Sequence, residues 1–133
     1  MKKILAIAVL GLAIHGCSKP SASERALELE RLTMNGERIE LQDWFAPGIE
    51  NTDFIKIYGG PEKLGADSKK RADAEGGVKS IEIVESRSLS NGNQLISTRT
   101  TFNSGKTAES QETWAQIDGK WKIVPPSTDG NSP

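Results

Sequence analysis

Three turn signals, Asn91-Gly92, Asn103-Ser104-Gly105 and Asp118-Gly119, cut the second half of the chain into four short segments. Asn, Asp and Gly tolerate the left-handed backbone that tight hairpins need, so each signal joins two antiparallel strands. Between the turns, apolar and polar residues alternate with period two. Residues 78–86, 94–102, 106–117 and 120–124 therefore read as four strands of an antiparallel meander.

The turns also fix the register, because a slip of one residue moves every side chain to the other face. A two-residue Asp118-Gly119 turn pairs Gln116 with Trp121 and Trp114 with Ile123. A three-residue loop at 103–105, with Gly105 left-handed, pairs Thr100 with Ala108 and Ile96 with Glu112. Asn91-Gly92, taken as a two-residue turn, sets Ile83 against Thr100 and Ile81 against Phe102. One face then collects Ile81, Ile83, Ile96, Phe102, Trp114, Trp121 and Ile123. The other carries Ala115, Ile117, Lys120 and Lys122, with Arg99 opposite Glu109.

The apolar face needs a cover, and the first half supplies helices. Ser21 and Glu24 match a capping box, and a helix over 22–34 follows with Ala22, Ala26, Leu29 and Leu32 towards one side. Asn35-Gly36 ends it. A second short helix is expected over 37–45, stopped by Pro47-Gly48, and a third from Thr52 with Phe54, Ile55, Ile57 and Tyr58. Pro61 at a first helical position opens a polar helix to about Glu75, and Gly76-Gly77 closes it. The fold class is α+β: N-terminal helices packed on a curved four-stranded antiparallel meander.

The N-terminus carries an address. Lys2 and Lys3 precede an apolar run from Ile4 to Ile14, long enough for a secretory signal and too short to span a bilayer. Ile14-His15-Gly16-Cys17 resembles the lipobox of bacterial lipoproteins. The resemblance implies that diacylglycerol alkylates the Cys17 thiol and that cleavage makes Cys17 the N-terminus. The expected organisation is a signal peptide at 1–16, a lipidated tether at 17–21, a domain at 22–124 and a disordered Pro- and Gly-containing tail at 125–133. Ser18 follows Cys17, with no Asp there to signal inner-membrane retention. By that analogy the expected location is the periplasmic face of the outer membrane.

Composition excludes several chemistries. Losing residues 1–16 removes two of the 17 Lys and Arg, so 15 remain against 18 Asp and Glu. Such a mildly acidic chain, without a basic stripe, gives no footprint for nucleic acid. The single His, His15, leaves with the signal, and Cys17 is the single cysteine. No Ser-His-Asp triad, Cys-His pair, His-based metal site or internal disulfide can form. Carboxylates, Lys, Tyr58 and hydroxyls remain, and no cofactor or metal is expected.

The segments Gly77–Glu85, Thr101–Thr107 and Asp118–Ile123, the last reading Asp-Gly-Lys-Trp-Lys-Ile, resemble small bacterial lipoproteins of the nuclear-transport-factor-2-like superfamily. The resemblance implies an α+β cone, a curved sheet wrapped on helices with a pocket between them. It implies no particular activity, because this fold serves isomerases, dehydratases and non-catalytic binding modules alike.

In the expected register Arg87, Ile96 and Glu112 lie side by side on the inner face, with Glu85 one step from Arg87. Glu85 or Glu112 is a candidate base or ligand contact, and Arg87 a candidate anion contact. The plainer expectation is a solvated ion pair at the open rim. Tyr58 is either an oxyanion donor of the ketosteroid-isomerase kind or a core residue with a wet hydroxyl. Gly105-Lys106-Thr107 lacks the first Gly of a phosphate loop and sits in a hairpin, and Ser68-Lys69-Lys70-Arg71 reads as a solvated helix face. The expected function is a membrane-tethered, non-enzymatic binding or accessory lipoprotein of the envelope, with an envelope protein or small ligand as partner. The alternatives are a small-molecule enzyme using a pocket carboxylate, and a protein-binding inhibitor or immunity-type lipoprotein.

Overall fold

Ser21 starts the first helix as its side chain accepts from the Glu24 N–H at 3.1 Å, while Glu24 reaches back to the Ser21 N–H at 2.8 Å. This reciprocal cap satisfies two of the orphan donors of helix α1, Ala22–Met34. Asn35 caps its other end, and Gly36 takes the left-handed turn at φ 79°. The computed structural model describes residues 19–48 and 61–125. Cys17, the helix expected from Thr52 with Tyr58, and the tail beyond residue 125 lie outside the described residues.

Helix α2, Leu41–Trp44, is a single turn, shorter than the helix expected over 37–45. Glu37 is tied by its N–H to the Leu32 carbonyl, and Glu40 enters α2 in an extended conformation with no side-chain cap. The non-helical stretch between them buries Ile39 to 1% exposure. Helix α3, Pro61–Ala74, stops at Gly76 and Gly77, both at positive φ. It crosses the turn after α1 at Gly65, where a Cβ would stand 2.3 Å from the Glu37 carbonyl oxygen. Only a residue without a side chain lets these backbones approach so closely.

Strands β1 (Val78–Ser88), β2 (Gln94–Phe102), β3 (Thr107–Ile117) and β4 (Lys120–Val124) form one antiparallel sheet in sequence order. The β2–β3 and β3–β4 registers follow the turns as expected: Ile96 faces Glu112, Thr100 faces Ala108 and Trp114 faces Ile123. On the outer face Arg99 lies between Glu109, at 2.9 Å, and Glu82, at 3.6 Å.

The β1–β2 register differs from expectation. Leu89 donates to the Asn93 carbonyl at 2.8 Å, so Ser90-Asn91-Gly92 is a three-residue loop with Gly92 at φ 90°. A register shift between Ile83 and Glu85 then leaves Val84 as an inserted residue, and a second shift falls between Val78 and Ser80. Ile81 pairs with Thr100 and Ile83 with Thr98, not with Phe102 and Thr100. Both Ile side chains keep their inward face. Past the bulge the faces swap, so Ser86, not Arg87, stands opposite Ile96. The Ser23 hydroxyl of α1 meets Ser86 Oγ at 3.2 Å, which confirms which residue points inward.

The main core lies between α1, α2 and the inner face. Ala22, Ala26 and Leu29 meet Ile39, Trp44, Phe45, Ile96, Trp114 and Ile123, with Ile83 and Trp121 at its margin. The small Ala residues of α1 let the helix axis close on the sheet. Trp114 is 0% exposed and meets Trp44 edge-to-face, with ring centroids 6.5 Å apart and planes at 79°. The Arg25 guanidinium stacks 3.9 Å above the Trp44 ring and donates to the carbonyls of Trp121 and Asp43 at 3.1 and 2.5 Å. Beyond α2, Ala46 donates to the Ile123 carbonyl at 2.8 Å, adding a parallel bridge to the free edge of β4.

A smaller cluster of Met34, Ala72 and Phe102 closes the opposite end. There the β2–β3 loop is tied down, with Asn103 Nδ2 donating to the Gly76 carbonyl at 2.7 Å and the Ser104 hydroxyl to Glu75 at 2.7 Å. The start of α1 and the other two hairpin loops share the first end.

Candidate functional site

Alternation along β3 turns Ser110, Glu112 and Trp114 to the inner face. Glu112 stands opposite Ile96, which is fully buried. Helix α1 covers this stretch, and Glu30 follows Leu29 at the edge of its buried stripe. Two carboxyl groups therefore approach each other between α1 and β3.

Both resist ionisation. Burial, and then the charge of Glu30, push the Glu112 carboxyl up to about 8, with the Trp114 indole N–H working weakly the other way. Burial also raises Glu30, opposed by the Ser110 hydroxyl and by Arg71 of α3. Arg71 and Ser110 favour a charged Glu30, and that charge keeps the proton on Glu112. The arrangement favours holding a proton on Glu112 beside Glu30. Buried Trp114 Nε1 has no partner with hydrogen-bond geometry among the described residues, although it lies near enough to favour a charged Glu112. Chemically, Glu112 is a proton or hydrogen-bond donor in a half-buried position between α1 and β3.

The three acidic and basic residues singled out from sequence are not brought together. Arg87 lies opposite Leu95 and ion-pairs with Glu85 at 3.0 Å, both about 40% exposed, at the sheet edge. The three-residue loop and the Val84 bulge carry this pair to the outer face. Glu112 is thus no rim partner of Arg87: it is half-buried under α1, and its charged neighbour is Glu30. Sequence reasoning passed over Glu30. The available signal was a charge next to Leu29 and four residues after Ala26, one step off an apolar helical stripe.

A separate groove of about 430 Å³ runs along the α2–β4 edge, lined by Leu41, Gln42, Phe45, Ala46, Pro47 and Lys122. Lys122 belongs to the outward set on β4, yet its ammonium donates to the Gln42 carbonyl at 2.6 Å. Among the described residues, no group of three or more His, Cys, Asp or Glu could hold a metal ion, and no helix is long and apolar enough to cross a membrane.

Comparison with solved structures finds a Campylobacter jejuni protein, provisionally described as an NTF2-like transpeptidase, whose crystal structure superposes with a TM-score of 0.59. The two are 20% identical, and the match covers 76% of this chain and 94% of that one. No protein-family model and no curated protein matches the sequence. The chain has the nuclear-transport-factor-2-like fold, helices on a four-stranded antiparallel sheet, as the sequence resemblance implied.

Proposed function

We propose that this chain is a lipid-tethered, non-enzymatic binding or accessory module of the bacterial envelope, held at the periplasmic face of the outer membrane. The observation that carries this reading is the junction of address and domain. The capping box at Ser21 starts the folded domain four residues after Cys17. A lipidated Cys17 would therefore hold the domain against the membrane with almost no linker. One acyl chain anchors weakly and several anchor stably, so full processing at Cys17 matters. Cys17→Ser should release the protein from the membrane fraction or leave it unprocessed, as read by mass spectrometry and fractionation. Unchanged mass and fractionation would reject the reading.

The half-buried Glu112, whose carboxyl resists ionisation, favours a second reading, a small-molecule enzyme with this carboxyl as proton donor. Crosslinking in intact envelopes separates the two. A specific protein partner captured equally by wild type and Glu112→Gln supports the accessory module. A small molecule that co-purifies with wild type and is lost from Glu112→Gln, with no protein crosslinked, supports the enzyme.

A further inference from the structure

The start of the domain has a fixed place. Lys19 packs on the β3–β4 turn: its Nζ is 2.9 Å from where a Cβ on Gly119 would stand. Ser23 meets Ser86 of β1 at 3.2 Å, and Arg25 meets the Trp121 carbonyl of β4 at 3.1 Å. The beginning of α1 is thus tied to both edge strands at the end of the sheet that carries loops 89–93 and 118–119. Lys19 is two residues from Cys17. Two residues span at most about 7 Å when fully extended.

We propose that this end of the domain, formed by Lys19, loop 89–93 and the Asp118-Gly119 turn with Lys120, lies against the lipid headgroups, while the β2–β3 loop points away from the membrane. The proposal rests on lipidation of Cys17. The short reach then leaves few orientations, because Lys19, two residues from the point of attachment, lays its side chain on the turn. The surface suits headgroups and not the hydrocarbon layer. Its loop tips, Ser90-Asn91-Gly92 and Asp118-Gly119, carry no apolar side chain, and the ammonium groups of Lys19 and Lys120, two against the one carboxylate of Asp118, can meet lipid phosphates. The outer sheet face and the α2–β4 groove then stand clear of the bilayer, free to meet an envelope partner.

The test uses the full lipidated chain in vesicles of phosphatidylethanolamine and phosphatidylglycerol. Cysteine is introduced singly at Asn91, Lys120 or Lys106 and labelled with a fluorophore. Headgroup-borne and aqueous quenchers are then compared. Labels at Asn91 and Lys120 should be quenched from the headgroups several-fold more than the label at Lys106, on the far end. Equal quenching at the three sites, or stronger quenching at Lys106, overturns the orientation. Protection of Asn91 and Lys120 from the aqueous quencher without headgroup quenching would assign this end to a second copy of the chain, and also overturns it. A chain that lacks the diacylglycerol mass and does not float with vesicles rejects lipidation itself, a separate outcome.

Discussion

Trp114 and Glu112 are two residues apart on the same face of the same strand, and their surroundings differ completely. Around Trp114 the helices present Trp44 and the Ala26–Leu29 stripe, and the space is filled. Around Glu112, α1 presents Glu30, and the strand's own Ser110 supplies the polar contact. Alternation decides that a residue points inward. What covers it decides whether burial stabilises the fold or stores an electrostatic cost. The apolar region gains about 1.5–3 kcal/mol for each large side chain buried. The carboxyl region instead holds a proton that water would remove.

The largest expected effect breaks the apolar side of this contrast. Trp114→Ala should lose about 3–5 kcal/mol and leave the domain unfolded or nearly so in urea melts. Trp121→Ala should cost visibly less, because Trp121 sits half-buried at the core margin. Equal midpoints for the two would show that the core is not centred on Trp114.

Gly65→Ala tests how α3 is held over α1. The added Cβ meets backbone, which cannot swing aside, so a loss of about 1–3 kcal/mol is expected in the same melts. The variant should also displace Arg71, which favours the charge on Glu30.

Glu112→Gln sharpens the carboxyl side. A carboxyl whose folded pKa is raised stabilises the fold fully below its ordinary value of 4.5, and that contribution is lost as pH rises towards about 8. The wild type should therefore weaken between about pH 4.5 and 8. The amide mimics the protonated acid, so the variant should match wild type within about 1 kcal/mol at pH 4 and exceed it by a growing margin as pH rises to 9. Parallel stability curves across this range would contradict a raised Glu112 carboxyl. Arg87→Ala should do least. Its pair with Glu85 is exposed, so less than about 1 kcal/mol should be lost and the pH dependence should not change. A changed pH profile would place Arg87 back beside Glu112.

Legibility followed the turns. Asp118-Gly119 and the 103–105 loop carry enough local chemistry to fix two registers, and with them the inward placement of Trp114, Ile123 and Glu112. Asn91-Gly92 reads equally as a two- or three-residue loop, and nothing in the alternation of β1 marks Val84 as inserted. Arg87 was misplaced for that reason. The Ser21 cap was visible because its residues are three apart in sequence. The Glu30–Glu112 approach was not, because it depends on how α1 lies over β3, which no local pattern encodes. Gly65 is the same case: its need appears only once α3 crosses Glu37.

The most direct test of the proton held under α1 is a pH titration of the Glu112 side-chain carboxyl by carbon-13 NMR in the folded domain. The midpoint should fall near 8, with Glu30 titrating first and above its ordinary value of 4.5. Midpoints near 4.5 for both carboxyls would mean that water reaches them freely and that no proton is held between α1 and β3.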